Sequence, residues 1–277
     1  MPTARLRSVL FMPATNERAI AKARTLPCDA VILDLEDAVA PEVKSAARER
    51  AIAAVREGGF GERAVVVRVN GLGTASFKDD LTALREVDVH AVLVPKVDGV
   101  DDLRAVRTRL PGVPLWAMVE SCRGVLSLPA LADAAAELGL AALVAGTNDL
   151  ALDMRCRPDA ARTPLLPALS QIVLAARSAG IAALDGVLNT LGDGERLAVE
   201  CAQGAMLGFG GKTLIHPGQI DAANAAFGPS AAEVAWAREV VAAFADPANA
   251  GKGAIRLAGE MVERLHLGEA ERVLNVI

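Results

Sequence analysis

The sequence is poor in the side chains that bind transition metals or form disulfides. It contains 3 histidines and 4 cysteines, and no Cys-x-x-Cys or His-x-x-x-His spacing occurs among them. A zinc ribbon, a redox dithiol and a histidine-rich metal centre are therefore not expected. Any metal bound by this chain is expected to be held by oxygen atoms, and the cysteines are expected to be reduced thiols.

Long apolar runs and clusters of basic residues are also missing. Charged residues interrupt every apolar segment before it reaches the roughly 20 residues that a bilayer requires. The first apolar stretch, 9–12, ends at Pro13 and is too short for a secretory signal. Basic residues are scattered and the formal net charge is −5, which indicates no surface for a polyanion. We expect a cytoplasmic protein that binds neither membranes nor nucleic acid.

Hydrophobic residues make up 52% of the chain and occur in short runs separated by helical patterns. The runs begin near Arg7, Ala30, Ala64, Ala91, Pro114, Ala141, Ile181 and Gly204. Strands that alternate with helices are typical of an α/β protein with a parallel sheet. Eight such units predict a (β/α)8 TIM barrel, which takes roughly 250 residues. A doubly wound open sheet is the alternative.

The alternation of strands and helices stops after Pro217. Helical patterns then cover 231–244 and 259–277, with a Pro- and Gly-containing stretch between them. We therefore predict a barrel in residues 1–220 and a C-terminal helical extension in residues 221–277.

Polar residues follow the apolar runs at their C-terminal ends. The series is Glu36 and Asp37, Arg68 and Asn70, Lys96, Glu120, Asn148 and Asp149, Asp185, and Lys212. The active site of a (β/α)8 barrel is built from the C-terminal ends of its strands, so these side chains are expected to meet at one mouth. Alternation along a strand supports this, since Trp116, Met118 and Glu120 share a face.

Glu120 and Asp149 follow neighbouring strands of the predicted barrel. Neighbouring strands lie about 4.8 Å apart, so the two carboxylates can bind one cation and leave coordination positions open. This arrangement suits Mg²⁺. The alternative is that Glu120 pairs with Arg123 and Asp149 caps a helix.

Arg68 lies within a strand, where a charge is costly unless it is paired or placed at the mouth. Its planar guanidinium suits bidentate binding of a substrate carboxylate, or it forms a structural ion pair with Glu36 or Asp37. The acids Asp34, Glu36 and Asp37 lie close together in the sequence and can hold waters around a metal. The three acids could equally be charges at the start of a helix, and for Asp37 considered alone this is the favoured interpretation.

A glycine-rich segment, 208–213, resembles a phosphate-binding loop. The Walker spacing requires glycine where Met206 stands, so the segment is not a P-loop. Its glycines can approach a phosphate or thioester, or they can serve tight packing.

Several stretches together resemble one family over nearly the whole chain. They are RSVLFMP at 7–13, LDLEDAV at 33–39, VRVN at 67–70, VPK at 94–96, GTNDL at 146–150, GGK at 210–212 and IHPGQI at 215–220. The family is the citrate lyase β-subunit-like group of the HpcH/HpaI aldolase superfamily, which includes malyl-CoA and citramalyl-CoA lyases. The resemblance implies that Glu120 and Asp149 bind Mg²⁺ and that Arg68 binds the substrate carboxylate. Arg7, Lys96 and Glu120 are further candidates for substrate binding.

The resemblance also implies a homotrimer or hexamer, in which the extension of one subunit covers its neighbour's site. In the family the extension supplies a catalytic aspartate from a Met-Ile-Asp segment. Here the segment reads Met261-Val262-Glu263, so Glu263 is the expected proton-transfer group and is one methylene longer.

The expected function is cleavage or formation of a carbon–carbon bond in a 3-hydroxyacyl thioester, with Mg²⁺ as cofactor and an acyl-CoA and a small acid as partners. Three alternatives remain: a class II pyruvate aldolase, a malyl-CoA thioesterase, and a non-catalytic acyl-CoA-binding protein. Glu263 in place of aspartate is compatible with thioester hydrolysis.

Overall fold

A closed barrel of eight parallel strands forms the centre of the computed structural model, which describes residues 5–275. The strands are β1 Ser8–Pro13, β2 Ala30–Asp34, β3 Ala64–Arg68, β4 Ala91–Val94, β5 Leu115–Val119, β6 Leu140–Ala145, β7 Ala182–Asp185 and β8 Gly211–Leu214. Pairing of β8 with β1 closes the sheet. The predicted (β/α)8 barrel is confirmed, and the open sheet is excluded.

Seven of the eight predicted strand starts lie within one residue of an observed start, and the eighth is wrong. Gly204 lies inside a helix, and β8 begins at Gly211. Gly204 itself lies on the buried face of that helix together with Leu197 and Cys201. Gly208, with a φ of 98°, ends the helix in the left-handed conformation that glycine adopts readily.

Helices surround the barrel. They are α1 Glu17–Ala23, α2 Lys44–Glu57, α3 Ser76–Leu84, α4 Val100–Arg109, α5 Cys122–Leu126, α6 Leu128–Asp133, α7 Ala135–Leu138, α8 Thr147–Asp153, α9 Leu166–Ser178, α10 Gly194–Leu207 and α11 Ile220–Phe227. Asn16 caps α1 by accepting a hydrogen bond from the backbone N–H of Ala19. Among the described residues, no helix is both long enough and apolar enough to cross a membrane.

The strands bury both of their faces. One set of side chains, including Ile32, Val66, Leu93 and Trp116, fills the barrel interior. The alternate set packs against the surrounding helices. Because side chains alternate along a strand, each polar residue of a strand faces either the interior and its mouth or the layer beneath the helices.

The chain divides into two compact units after Phe227. Helix α11 packs against β8 and β1. The boundary predicted at residue 220 had placed this helix in the extension. The side chain of Ser8 in β1 donates a hydrogen bond to Asn224 in α11 over 2.7 Å. The barrel unit therefore includes this helix.

The second unit contains a β-hairpin that the helical pattern did not predict. Helix α12 Ala231–Ala245 is followed by β9 Ala254–Leu257, β10 Glu260–Glu263 and α13 Arg264–Asn275. Ala258 and Gly259 both have positive φ, 49° and 91°, as the tight turn of a hairpin requires. Ile255 and Val262 pair across the hairpin and pack against Ala237.

Candidate active site at the barrel mouth

Arg68, at the end of β3, is held in place by Asp34 at the end of β2. Its Nε and Nη2 atoms donate to the two carboxylate oxygens of Asp34 over 2.6 and 2.7 Å. Asp34 also accepts backbone hydrogen bonds from Glu36 and Ala38. The predicted ion pair of Arg68 with Glu36 or Asp37 is present, but its main partner is Asp34, which the sequence did not predict as a partner of Arg68. Side chains alternate along a strand, so Ile32, Asp34 and Glu36 share one face of the β2 segment. This alternation could have shown that Asp34 points toward the mouth, where it can meet Arg68.

The remaining contacts of Arg68 set its direction and charge. Its Nη1 lies 3.1 Å from Glu36 Oε2 and 3.7 Å from Asp37 Oδ2, and its guanidinium lies 4.9 Å from the ring centroid of Phe11. Burial opposes the charged form, but the hydrogen bonds to Asp34 and the charges of Glu36 and Asp37 outweigh it and raise the pKa of Arg68. The mouth therefore holds a permanently cationic group in one orientation.

Lys96 follows β4 and bridges the acids of the mouth. Its Nζ donates to Glu36 Oε1 over 2.6 Å and lies 3.5 Å from Asp37 and 4.0 Å from Asp149. Its φ of 52° is in the left-handed region, which a side chain such as lysine adopts at a cost of about 1 kcal/mol or more. That conformation lets its backbone N–H donate to Glu120 Oε1 over 2.7 Å.

Glu120, after β5, is a buried carboxylate that forms no ion pair within residues 5–275. Its side chain points into the mouth on the same face as Trp116 and Met118. Burial, reinforced by the negative charges of Glu36 and Asp149, raises the pKa of Glu120 to about 7. Among the described residues it forms no ion pair with Arg123, so the alternative role for Glu120 is not supported.

Gly146 explains how Glu120 and the start of α8 fit together. A Cβ atom at Gly146 would lie 2.3 Å from Glu120 Cβ and 2.7 Å from Glu120 Oε2. Only glycine permits this approach. Asp149 lies in the first turn of α8, which begins directly after Gly146.

These residues form a group with excess negative charge, which we call the mouth cluster. Five of its members are carboxylates and three are cations: Asp34, Glu36, Asp37, Glu120 and Asp149, with Lys44, Arg68 and Lys96. The excess of two negative charges equals the charge of one divalent cation. Glu36 Oε2 is buried and receives no well-directed hydrogen bond from residues 5–275, and burial raises the pKa of Glu36.

The mouth cluster fits a hard divalent cation held by few protein ligands. No group of three or more histidine, cysteine, aspartate or glutamate side chains is arranged around a metal position in residues 5–275. Glu120 and Asp149 offer only carboxylate oxygens, the ligands that Mg²⁺ prefers, and Mg²⁺ usually keeps several waters or substrate oxygens. Glu36 and Asp37 belong to the same group of charges, since Lys96 contacts Glu36, Asp37 and Asp149.

Asp185 and Lys212, which the strand-end series placed at the mouth, lie elsewhere. Leu184 faces the barrel interior, so Asp185 faces the helices. Together with Arg162 and Glu200 these residues form what we call the wall network. Lys212 Nζ donates to Asp185 over 3.0 Å and to Glu200 over 2.7 Å, and Arg162 Nη1 donates to Asp185 over 2.7 Å. All four residues are buried.

Asn70 and Arg7 are also not at the mouth. Asn70 donates to Asp80 of α3. Arg7 precedes β1, at the opposite end of the barrel, where it forms a bidentate ion pair with Asp29 over 2.8 and 2.9 Å. The expectation that Arg7 binds substrate is corrected, because N-terminal strand ends and the active site lie at opposite faces of such a barrel.

Glu263 belongs to the second unit. It ends β10, at the junction with α13, and its backbone N–H donates to His266 over 2.9 Å. Its carboxylate is half-buried and has no hydrogen bond or ion pair with any residue in 5–275. The expected position on a helix is wrong, because Glu263 is the last residue of β10.

Comparisons with known proteins agree with the geometry. The family described as HpcH/HpaI aldolase/citrate lyase matches residues 7–217. A (3S)-malyl-CoA thioesterase of Cereibacter sphaeroides is 44% identical over 97% of this chain and 93% of its own. A citrate lyase subunit beta-like protein of Deinococcus radiodurans is 37% identical over 99% and 98%. The crystal structure of the protein CitE from Mycobacterium tuberculosis with magnesium, acetoacetate and coenzyme A has a TM-score of 0.78 at 33% identity, covering 97% of both chains.

Proposed function

Because the chain belongs to the HpcH/HpaI aldolase/citrate lyase family, we propose that it is a Mg²⁺-dependent enzyme that hydrolyses the thioester of malyl-CoA or a similar 3-hydroxyacyl-CoA. The observation that carries this proposal is the mouth cluster, where an oriented arginine stands beside acids with two unbalanced negative charges. The 44% identity to a malyl-CoA thioesterase favours hydrolysis.

Each residue of the mouth cluster has a role in this proposal. Arg68 binds the free carboxylate of the acyl group with the N–H groups that Asp34 leaves unused, and Lys96 adds a mobile positive charge beside it. Glu120 and Asp149 hold Mg²⁺, which supplies Lewis-acid stabilisation of negative charge on a substrate oxygen. Glu36 and Asp37 orient waters around that position.

Glu263 is the proposed proton-transfer group, supplied by a neighbouring subunit whose extension covers the mouth. A carboxylate with no partner in its own unit is suited to accept a proton from a water that attacks the thioester carbon. Attack by that water breaks the C–S bond and releases the free acid and the CoA thiol. We therefore propose a homo-oligomer, a trimer or hexamer, which light scattering tests.

Carbon–carbon cleavage is the second candidate, and the lyase-type relatives favour it. The same carboxylate clamp and metal position would serve cleavage of malyl-CoA to acetyl-CoA and glyoxylate. The two reactions differ in what they release, since hydrolysis frees the CoA thiol and cleavage keeps it acylated.

The deciding experiment incubates the protein with malyl-CoA, citramalyl-CoA and citryl-CoA in the presence of Mg²⁺. Free thiol and 2-oxo acid are measured in parallel, and the products are identified by mass spectrometry. Thiol release matched by malate supports the thioesterase, whereas acetyl-CoA with glyoxylate supports the lyase. If none of the thioesters reacts and a parallel incubation with a free 2-oxo acid shows turnover, the protein is an aldolase. Binding without products would indicate a non-catalytic protein.

The role of Glu263 is tested separately. Glu263→Gln removes the basic oxygen at nearly constant shape, so kcat is expected to fall by about 10²-fold or more while KM changes little. Glu263→Asp is expected to retain activity. Wild-type kcat in Glu263→Gln would require withdrawal of the catalytic role.

A further inference from the structure

The segment 147–162, which carries Asp149, is anchored at both ends to two consecutive residues, Asp185 and Gly186. It begins with Thr147 at the start of α8 and ends with Arg162. Asp185 is the last residue of β7, and Gly186 follows it. The position of Asp149 is therefore set by what holds the end of β7.

The Arg162 anchor is a buried charge pair. Nη1 of Arg162 lies 2.7 and 2.9 Å from the two carboxylate oxygens of Asp185, and its Nε donates to Gln203 over 2.8 Å. Arg162 adopts a φ of 56°, an unfavourable conformation for arginine that persists only where surrounding contacts enforce it. The far end of the segment is thus fastened to Asp185.

At the Thr147 end the contact is one of close packing, between the backbone of Gly186 and the side chain of Thr147. A Cβ atom at Gly186 would lie 2.6 Å from Thr147 Oγ1 and 2.8 Å from the carbonyl oxygen of Ala145. Next to this contact, Asn189 Nδ2 donates to Asn148 Oδ1 over 2.9 Å. Helix α8 therefore starts in direct contact with the loop after β7, two residues before Asp149.

Lys212 binds both Asp185 and Gly186, the two residues that contact the ends of the segment 147–162. Its ammonium group donates to Asp185 Oδ2, to Glu200 Oε1 and to the carbonyl oxygen of Gly186. The side chain is 0% exposed, and three acceptors use all three of its protons. A buried lysine with this coordination holds Asp185 and Gly186 in one fixed arrangement.

We propose that Lys212 is a positioning residue for the metal ligand Asp149. It acts through Asp185 and Gly186 on both ends of the segment 147–162 and has no contact with substrate. Lys212 belongs to the glycine-rich segment 208–213, so this segment has a structural function in place of phosphate binding. It rests on the proposed function only in that Asp149 is taken to bind the metal.

Mn²⁺ binding to the full-length protein without substrate tests the proposal, with free Mn²⁺ followed by electron paramagnetic resonance. Lys212→Met removes the ammonium group and keeps an unbranched apolar side chain that is one heavy atom shorter. Its Kd for Mn²⁺ is expected to rise by about tenfold or more, as is usual when a group that orients a metal ligand is lost. Asn189→Ala removes one exposed amide contact, and a rise of about twofold to fivefold is expected.

Arg24→Met is the control, because it breaks an ion pair with Glu57, and within residues 5–275 neither residue has a hydrogen bond to Lys212 or to the segment 147–162. Its Kd is expected to equal that of the wild type even if its melting temperature falls. An unchanged Kd in folded Lys212→Met overturns the proposal. If Lys212→Met does not fold, Glu200→Gln, which weakens the hold of one acceptor on the same ammonium group, decides in the same way.

Failure of the proposed function gives a different result. If the wild-type protein binds Mn²⁺ but hydrolyses no thioester, the proposed reaction is wrong. The positioning role of Lys212 is then unaffected. A wild-type protein that binds no Mn²⁺ overturns the positioning role, whatever reaction it performs.

Discussion

The mouth cluster and the wall network are two groups of charged side chains on the same barrel, and they differ in balance. The wall network pairs two acids with two bases, and all of them are buried. The mouth cluster has five carboxylates against three cations, and Lys96 is half exposed. Each group contains one buried polar atom without a hydrogen-bond partner in residues 5–275, a donor of Arg162 in the wall and an acceptor of Glu36 at the mouth.

This difference in charge balance indicates a structural role for the wall network and a functional role for the mouth cluster. A balanced, sealed network gains nothing from a further ion, and loss of one member leaves an uncompensated buried charge. A cluster with surplus negative charge costs folding free energy and is expected to be stabilised by a bound cation. Removal of one charge should therefore have opposite effects on stability in the two groups.

The largest expected effect is on stability, in the wall network. Lys212→Met leaves two acids facing Arg162 alone, so the free energy of unfolding is expected to fall by about 3–5 kcal/mol. Urea denaturation followed by circular dichroism measures it. A loss of less than about 1 kcal/mol would mean that the network contributes little to the fold.

Glu120→Gln removes one charge from the mouth cluster and is the counterpart of Lys212→Met in the wall network. Loss of a carboxylate that would hold the metal is expected to lower kcat/KM by at least about 10²-fold. In metal-free protein the same change relieves burial of a charge near Glu36 and Asp149, so stability should rise by about 1–2 kcal/mol. Thermal melts with and without Mg²⁺ check both parts, and a destabilised metal-free variant contradicts the surplus-charge interpretation.

Arg68→Lys tests the geometry of the mouth cluster at constant charge. Lysine cannot form the two parallel bonds to Asp34 and still reach the substrate, so kcat/KM is expected to fall by about tenfold to a hundredfold with Mg²⁺ affinity retained. Steady-state kinetics measure this. Arg104→Lys, in an exposed bidentate pair with Glu137, is the control and should leave the kinetics unchanged.

Gly146→Ala has the smallest expected effect. The added methyl group would lie 2.3 Å from the Cβ atom of Glu120 and must displace it, so a loss of Mg²⁺ affinity of about tenfold is expected. Isothermal titration measures it, with Gly194→Ala as control because no atom lies within 4 Å of the methyl group there. Equal affinity in the two variants would show that Glu120 tolerates the shift.

Much of the fold could be predicted because strand and helix signals were local. Short apolar runs with helical segments between them are sufficient to predict a barrel, and Asn16 or Gly99 mark helix starts that the structure contains. The hairpin in the second unit was missed because its turn, Ala258-Gly259, lacks the usual Asn-Gly or Asp-Gly sequence. Its strands are also only four residues each, too short for a clear alternation.

By itself, the sequence determined the order of the elements and the residue types at the strand ends, including Arg68, Lys96 and Glu120. Only the tertiary structure decided which strand-end groups meet. Both faces of a barrel strand are buried and apolar, so hydrophobicity does not distinguish the face toward the mouth from the face toward the helices. A shift of one residue along the strand separates an interior position such as Leu184 from Asp185 in the wall. Closure of the barrel therefore assigned Arg68 and Glu120 to the site, and Asp185 and Lys212 to the frame behind it.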